Sequence, residues 1–219
     1  MANRPVFEVM EHAPFFRRMN IDFEFYNGFS IQQKQRCIRS LHESYVKLTG
    51  NDKTLEVSSK SENPLGIALS AFNLFIVDEQ RNRMTVESLF QGSKVFQYDQ
   101  DTLGPYTDIY TMSSPEAHKD KRLRGPGRIK SFRYFDQEFT INPPTYFFDW
   151  LYVNALHQNP DLSEEVIKYK AFTDIEFNPL RQINCQAEAA AIYVGLWNSG
   201  KLDEALKDKD AFRRVVFEK

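Results

Sequence analysis

The stretch TVESLFQGSK, from Thr85 to Lys94, carries the features that most constrain the fold. Thr85 is a suitable N-cap, and the apolar residues that follow recur at the spacing of a helix. Glu87, Gln91 and Lys94 stand at positions i, i+4 and i+7, which places a carboxylate, an amide and an amine on one helical face. The apolar remainder of this predicted helix, which should be buried, consists of Val86, Leu89, Phe90, Val95 and Phe96.

This polar stripe has two interpretations. It is either a solvated ladder of side chains, which spacing alone favours, or the lining of a ligand site. Because polar groups on a buried helix need partners or a ligand, the apolar flanks favour a site. Glu87 and Lys94 would then lie two turns apart, with the amine leaning back towards the carboxylate and a small group held between them.

The sequence outside this stretch predicts about seven helices and a few short strands. Residues 1–20 show no clear period and are expected to form an extended arm, and "IDFEFY" (21–26) alternates like a strand. Ser30 and Gly50 are suitable ends for one long helix, and Asn184 is a suitable cap for a late, apolar one. The predicted class is an α+β, mostly helical single domain with short strands and hairpins. We expect residues 1–50 to be an N-terminal arm, strand and helix packed on a catalytic domain of residues 51–219.

Composition excludes several classes of protein. The chain has 219 residues and a formal net charge of −2, which argues against a broadly electrostatic nucleic-acid binder. Cys37 and Cys185, its two cysteines, lack a metal or redox spacing, so a cytoplasmic location is expected. No apolar run is long enough for a membrane helix, and the first residues lack the apolar core of a signal peptide.

The reactive residues favour chemistry without a metal or another cofactor. Four scattered histidines, which include His118, have no metal-ligand spacing and are expected to be surface or packing residues. The sequence shows no P-loop, no glycine-rich dinucleotide turn and no serine nucleophile elbow. Carboxylate, amine, amide and hydroxyl groups therefore remain as the candidates.

Five blocks of sequence resemble a known family when read in order. They are "NPLGIALSAFNL" (63–74), "TVESLFQGSKVF" (85–96), "SPEAHKDKR" (114–122), "LHQNPDL" (156–162) and "FTDIEFNPLRQINCQAEAAA" (172–191). Their order and spacing resemble the NADAR superfamily, which has a YbiA-like fold. The nearest likeness is to NADAR antitoxins paired with DNA-modifying ADP-ribosyltransferase toxins of the DarT kind. This subfamily resembles the chain nearly from end to end, including "EVSSKSE" (56–62) and "FFDWLYVNALHQNP" (147–160).

The resemblance implies an antitoxin hydrolase. Its substrate would be guanine in DNA that carries ADP-ribose, its reaction the cleavage of the N-glycosidic bond, and its products ADP-ribose and the restored base. A DarT-type toxin would be its counterpart, and no membrane partner is implied. Two alternatives remain open: a non-catalytic antitoxin that neutralises its toxin by direct binding, and an N-glycosidase that acts on a small nucleotide.

The resemblance also suggests roles for individual residues. The family's catalytic glutamate and lysine correspond to Glu87 and Lys94. The chain has Ser88 where a histidine commonly follows the glutamate, and "IEF" (175–177) where a Trp-Gly pair is usual, which makes the riboflavin-pathway activity of other members a poor match. The substrate-binding residues implied by the family or suggested by their polar chemistry are Ser58, Lys60, Ser70, Asn73, Gln91, Asp174 and Asn184, with Ser59 a further phosphate donor.

Two chemical routes are compatible with these residues. A carboxylate can act as general acid or base while the anomeric carbon gains oxocarbenium character. A lysine that has lost its proton can attack that carbon and open the sugar to a Schiff base. Lys94 can instead hold a phosphate or hydroxyl while Glu87 activates water, and the sequence does not separate these routes.

A basic segment is the candidate for holding DNA. Residues 118–135 contain seven Lys or Arg and one Asp, followed by Phe132, Tyr134 and Phe135. Basic residues interleaved with aromatic ones suit single-stranded DNA, whereas a solvated helix end followed by a hairpin with core aromatics is the structural alternative. The predicted DNA-binding residues are Lys121, Arg122, Arg124 and Arg128.

Overall fold

The computed structural model describes residues 1–78, 80–125 and 127–218. The helices in these ranges are α1 (Ile31–Thr49), α2 (Pro64–Ala68), α3 (Val86–Gly92), α4 (Ser114–Lys119), α5 (Tyr146–His157), α6 (Pro160–Val166), α7 (Gln186–Asn198), α8 (Leu202–Ala205) and α9 (Lys209–Phe217). Short 3-10 turns span Thr107–Thr111 and Lys121–Arg124.

The strands in the same ranges complete an α+β fold, as predicted. They are β1 (Ala2–Val9), β2 (Phe16–Phe23), β3 (Thr54–Glu56), β4 (Phe75–Val77), β5 (Arg83–Thr85), β6 (Lys94–Tyr98), β7 (Asp101–Leu103), β8 (Arg128–Tyr134), β9 (Gln137–Thr140) and β10 (Ala171–Thr173). No helix in the described parts of the chain is long and apolar enough to cross a membrane.

The chain forms two compact units, the first of which is discontinuous. The first unit contains Met1–Ser70 and Asn159–Lys219, and the second contains Ala71–Gln158. Each unit is described by itself below.

The first unit is built on a four-stranded sheet with the order β2-β1-β10-β3. β1 pairs antiparallel with both β2 and β10, and β10 pairs parallel with β3. The predicted N-terminal arm is therefore a strand hairpin, and β10 is a strand that the sequence did not predict. The pairing partners of β10, β1 and β3, are distant in sequence, so local patterns do not reveal it. The core between this sheet and α1 contains Val6, Ile21, Phe23, Cys37, Ile38, Leu41, Tyr45, Ala171 and Ile175.

Helix ends in the first unit partly follow the sequence signals. Ser30 caps α1 by accepting a hydrogen bond from the backbone N of Gln33, and Gly50 ends it at φ +73°, as predicted. The prediction that Asn184 caps α7 is wrong, because Cys185 occupies the N-cap position and the helix begins at Gln186. Cys37 and Cys185 are both buried free thiols.

The second unit contains a four-stranded antiparallel sheet with the order β7-β6-β8-β9 and a small β4–β5 hairpin. Aromatic rings fill the core between the sheet, α3 and α5. Phe132, for example, lies 5.2 Å from Phe90 of α3 and 4.9 Å from Phe147 of α5, measured between ring centroids. This core immobilises the base of α3, the helix that carries Glu87.

Candidate active site

Helix α3 is fixed at its start by a hydroxyl cap and at its end by close packing. The Thr85 Oγ1 accepts a hydrogen bond from the backbone N of Ser88 at 3.1 Å, and the Glu87 backbone N donates to the Ala71 carbonyl at 2.9 Å. At Gly92 a Cβ would lie 2.6 Å from a ring carbon of Tyr110, so only glycine fits there. Every residue of the helix is buried.

The predicted helix is too long. It ends at Gly92, and Lys94 is the first residue of β6, where it pairs with Phe132 of β8. Val95 and Phe96 are likewise strand residues. Pairing with β8 satisfies the backbone of this segment in a way that a local helix pattern cannot predict.

The polar row predicted on this stretch nevertheless forms across the helix-to-strand turn. The Lys94 Nζ donates to the Gln91 Oε1 at 2.5 Å, and the Gln91 Nε2 donates to the Glu87 Oε1 at 2.9 Å. Glu87 is 7% exposed and Gln91 is 8% exposed, so the row is almost enclosed. Because Lys94 has only donors, its bond fixes which end of the Gln91 amide faces Glu87.

The surroundings of the Lys94 amine act on its protonation in opposite directions. Its Nζ is 4.9 Å from the centroid of the Phe90 ring, and the residue is half-buried. Burial lowers the pKa of Lys94, and the negative charge of Glu87 opposes that effect in part. A neutral amine is the form that can act as a nucleophile.

His118 completes the cluster, and the prediction that it is a surface or packing residue missed this contact. It lies on α4, and its Nδ1 is 2.7 Å from the same Oε1 of Glu87. The hydrogen bond from Glu87 raises the pKa of His118, while partial burial acts in the opposite direction. Because 31 residues separate His118 from Glu87, local spacing carries no signal for the pair.

Ser88 itself has a structural position. It is fully buried, and its Oγ lies 3.0 Å from the backbone carbonyl oxygens of both Thr85 and Tyr110, which share its one hydrogen. The hydroxyl therefore fastens α3 to the neighbouring 3-10 turn.

A second polar cluster lies in the first unit around Glu56, which is 2% exposed. Its Oε1 accepts hydrogen bonds from the Ser58 Oγ at 2.6 Å and the Ile175 backbone N at 2.9 Å. Its Oε2 accepts one from the Thr173 Oγ1 at 2.6 Å, and His42 Nε2 contacts the same hydroxyl oxygen at 2.8 Å. Glu56 thus joins the loop after β3 to the loop after β10.

The predicted substrate residues Ser58, Lys60 and Asp174 all belong to these two loops. Lys60 Nζ donates to the Ser59 Oγ at 2.9 Å and lies 3.9 Å from a carboxylate oxygen of Glu176. Asp174 Oδ1 accepts from the backbone N of Glu176 at 3.0 Å and that of Phe177 at 3.2 Å. Burial, together with the charge of Glu56, raises the pKa of Asp174 well above its usual range. Their role in substrate binding stays a prediction.

The remaining predicted substrate residues differ in their surroundings. Ser70 is buried in the first unit, and Asn73 is exposed in the second. Asn184 is half-buried, and its Oδ1 is enclosed without a hydrogen-bond partner among the residues that the structure describes. An enclosed acceptor of this kind is available to a ligand donor.

A cavity of about 280 Å³ opens beside the Glu56 network. Its lining includes Arg39 and Glu62, which form an ion pair at 2.5 Å, and Asn63, whose side chain caps α2. These polar groups already have partners inside the protein, whereas the Thr54 Oγ1, which also lines the cavity, has no hydrogen-bond partner among the described residues.

The basic segment is more heavily paired than its sequence indicates. Arg122 makes a two-point ion pair with Asp108, at 2.7 and 3.1 Å, and also bonds to Asp120. Lys121, Arg124 and Arg128 are exposed. Phe132 and Tyr134 are core residues, whereas Phe135 is 54% exposed. The structural alternative is therefore right for two of the three aromatic rings, and the DNA-binding residues stay a prediction.

No three His, Cys, Asp or Glu side chains cluster as metal ligands in residues 1–78, 80–125 and 127–218. The two clusters around Glu56 and Glu87 are instead built from carboxylates, hydroxyls, amides, imidazoles and amines. The chain is thus an α+β protein with two enclosed carboxylate clusters.

The chain matches the family of DarT1-associated NADAR antitoxins over residues 2–219 and belongs to that family. The resemblance to the NADAR superfamily and to its DarT-associated antitoxins is thereby confirmed. Comparison with individual curated proteins gave no match.

Proposed function

We propose that this antitoxin is a hydrolase that removes ADP-ribose from ADP-ribosylated guanine in DNA by cleaving the N-glycosidic bond. The observation that carries the proposal is the enclosed row Glu87–Gln91–Lys94, which presents a carboxylate and an amine joined through one amide. Its family supplies the biological setting, an antitoxin associated with DarT1. We infer that the DarT1 toxin produces the lesion that this chain removes.

The row supplies the groups that this hydrolysis needs. As the bond to guanine breaks, positive charge develops at the anomeric carbon, and a nearby carboxylate such as Glu87 stabilises that charge. Glu87 also serves as the general acid or base, a role that contributes about 10²–10⁴-fold to the rate. Enclosure strengthens both effects, because few waters screen the charges.

Lys94 supports a covalent route. Its amine attacks the anomeric carbon, the bond to the guanine nitrogen breaks, and that nitrogen takes a proton. The sugar ring opens to a Schiff base with Lys94, and water then releases ADP-ribose and restores the amine. The lowered pKa of Lys94 supports this order of events. The alternative is direct attack by a water that Glu87 activates.

The experiment uses purified full-length protein without any toxin. It is incubated with an oligonucleotide that carries ADP-ribosylated guanine, and mass spectrometry follows both the oligonucleotide and free ADP-ribose. We expect loss of the ADP-ribosyl mass, release of ADP-ribose and an intact guanine base. An unmodified oligonucleotide of the same sequence is the control.

The result also separates the competing functions. A modified oligonucleotide that stays unchanged contradicts the proposal, and neutralisation of the toxin under the same conditions would establish action by contact. Turnover of ADP-ribosylguanosine at least as fast as that of the oligonucleotide would establish a small-nucleotide glycosidase instead.

A further inference from the structure

His118 lies outside the Glu87–Gln91–Lys94 row but contacts the carboxylate of Glu87, which indicates a role in the reaction. The His118 side chain is 53% exposed, whereas that of Glu87 is 9% exposed. Its ring lies 5.7 Å from the Phe72 ring, measured between centroids, and the two planes are tilted by 49°, so an aromatic neighbour packs against the imidazole. His118 is therefore oriented by packing while part of it reaches solvent.

The hydrogen bonds of Glu87 are distributed unequally between its two oxygens. Oε1 accepts from Gln91 Nε2 at 2.9 Å and contacts His118 Nδ1 at 2.7 Å. Two donors fill the two lone-pair directions of one carboxylate oxygen. Oε2 has no hydrogen-bond partner among the described residues, so it is the oxygen left to take or give a proton.

We propose that His118 is a positioning residue for Glu87, which holds Oε1 so that Oε2 faces the reacting atoms. This inference rests on the proposed function, because Glu87 needs a positioned oxygen only if it takes part in chemistry. Gln91 and His118 hold the carboxylate from two elements, α3 and α4, and so limit its rotation.

The imidazole also makes the reaction sensitive to pH. The charged groups that act on His118 are Glu87 of α3, Lys94 of β6 and Arg124 of the 3-10 turn that follows α4. A protonated His118 donates a charge-assisted hydrogen bond, which holds the Glu87 carboxylate more strongly and makes it less available to the reacting atoms. Turnover that depends on Glu87 as base should therefore rise as pH increases through the pKa of His118.

Two substitutions test this role. The amide nitrogen of Asn occupies the place of Nδ1 but does not titrate, so His118→Asn keeps the donor and removes the pH response. We expect His118→Ala to lower kcat about tenfold or more with KM nearly unchanged, since a misplaced catalytic group loses rate rather than affinity. His118→Asn should recover most of kcat and lack the acidic limb of the pH profile. His157→Asn, on the exposed end of α5, is the matched control.

Contrary results are equally clear. Wild-type kcat in His118→Ala, or a rise in KM alone, overturns the proposal. An acidic limb that persists in His118→Asn overturns the assignment of that limb to the imidazole.

A direct titration separates this inference from the proposed function. Nitrogen-15 NMR of the His118 ring in the full-length protein should give a pKa above 6.5, which falls when Glu87 is replaced by Gln. If the pKa behaves so but the wild-type protein releases no ADP-ribose, the contact stands and the proposed function fails. A pKa that Glu87→Gln leaves unchanged contradicts the contact itself.

Discussion

Glu56 and Glu87 are both almost fully buried, yet their hydrogen bonds differ in kind. Glu56 accepts bonds on both oxygens, from two hydroxyls and one backbone N. Glu87 accepts on Oε1 from the side chains of Gln91 and His118, and neither is a backbone donor. A carboxylate whose two oxygens both accept hydrogen bonds from neighbouring loops stabilises the fold. A carboxylate that lies near an amine and has one oxygen without a hydrogen bond is available for chemistry. The comparison shows that burial alone does not identify the reactive acid.

The largest expected effect separates these two carboxylates. Glu87→Gln keeps the shape of the side chain and removes its charge, so turnover should fall by about 10²–10⁴-fold. The thermal midpoint should change little, because the Gln91 and His118 bonds can be rearranged around an amide. Initial rates on the modified oligonucleotide and a thermal melt give both values.

The matched control is Glu56→Gln. An amide replaces one acceptor oxygen by a donor group inside a network of donors, so the unfolding free energy should fall by about 1–3 kcal/mol. Loss of stability in Glu87→Gln, or full stability in Glu56→Gln, would remove the distinction between the two clusters.

The second effect concerns the amine that distinguishes the Glu87 cluster. Lys94→Arg keeps a positive charge, but a guanidinium stays protonated and is not a nucleophile. If the Schiff base forms, Lys94→Arg should lose turnover by about 10²-fold or more while still binding ADP-ribose. Borohydride added during turnover should attach the mass of the ADP-ribosyl group to the wild-type protein. An active Lys94→Arg without any adduct points to attack by water assisted by Glu87.

The third effect compares one histidine in each cluster through the pH dependence of stability. Burial lowers the pKa of His42 to about 4. The unfolded chain therefore takes up a proton at His42 below pH 6.5 before the folded chain does. The free energy of unfolding is unaffected by this group above pH 6.5 and falls as pH decreases towards 4. The size of this loss is roughly 3 kcal/mol at 1.36 kcal/mol per pKa unit. His42→Gln should flatten the stability curve between pH 4 and 6.5, as urea unfolding at several pH values would show.

The pH dependence of the unfolding free energy that is due to His118 should have the opposite sign and be smaller. Its pKa is raised, so its stabilising contribution is present below pH 6.5 and disappears as pH rises through the folded-state pKa. Since its side chain is more than half exposed, the contribution should stay below about 1 kcal/mol. An equal pH dependence in the His42 and His118 variants would contradict the difference between the clusters.

The smallest expected effect concerns the basic segment. Lys121→Ala with Arg124→Ala should weaken binding of the modified oligonucleotide a few-fold and leave ADP-ribosylguanosine unaffected. Each lost phosphate contact to a single strand should lower the salt dependence of binding by about 0.7. Arg122→Ala is the contrasting variant, because that side chain already pairs with Asp108 and Asp120 and should affect stability more than DNA binding. Equal losses on both substrates would exclude the segment as the DNA contact.

The sequence predicts the features of this molecule that depend on local spacing. The long helix α1 with its Ser30 and Gly50 ends follows from periodicity and capping, and the aromatic α5 follows from its apolar run. The contact of Glu87 with Gln91 follows from a spacing of four residues. Lys94 contacts Gln91 from the first position of a strand and not from the same helix. Local spacing alone cannot distinguish these two arrangements.

Features that depend on distant pairing were missed. β10 has only three residues, and it is recognisable only through β1 and β3, which pair with it. His118 reaches Glu87 because α4 packs against α3, and no local pattern encodes that packing. The pairing of β10 and the contact of His118 with Glu87 therefore required the three-dimensional structure.

The discontinuity of the first unit has a consequence for synthesis on the ribosome. Thr173 donates to Glu56 across 117 residues, so the first sheet cannot close until β10 has been translated. The second unit is one uninterrupted segment, and Glu87, Gln91, Lys94 and His118 all lie within it. The side chains proposed for chemistry are thus translated within one continuous segment. They can come together before β10, the last strand of the first unit, has been synthesised. A nascent antitoxin truncated before residue 171 would contain the complete reactive cluster but lack the strand that joins the two halves of its first unit.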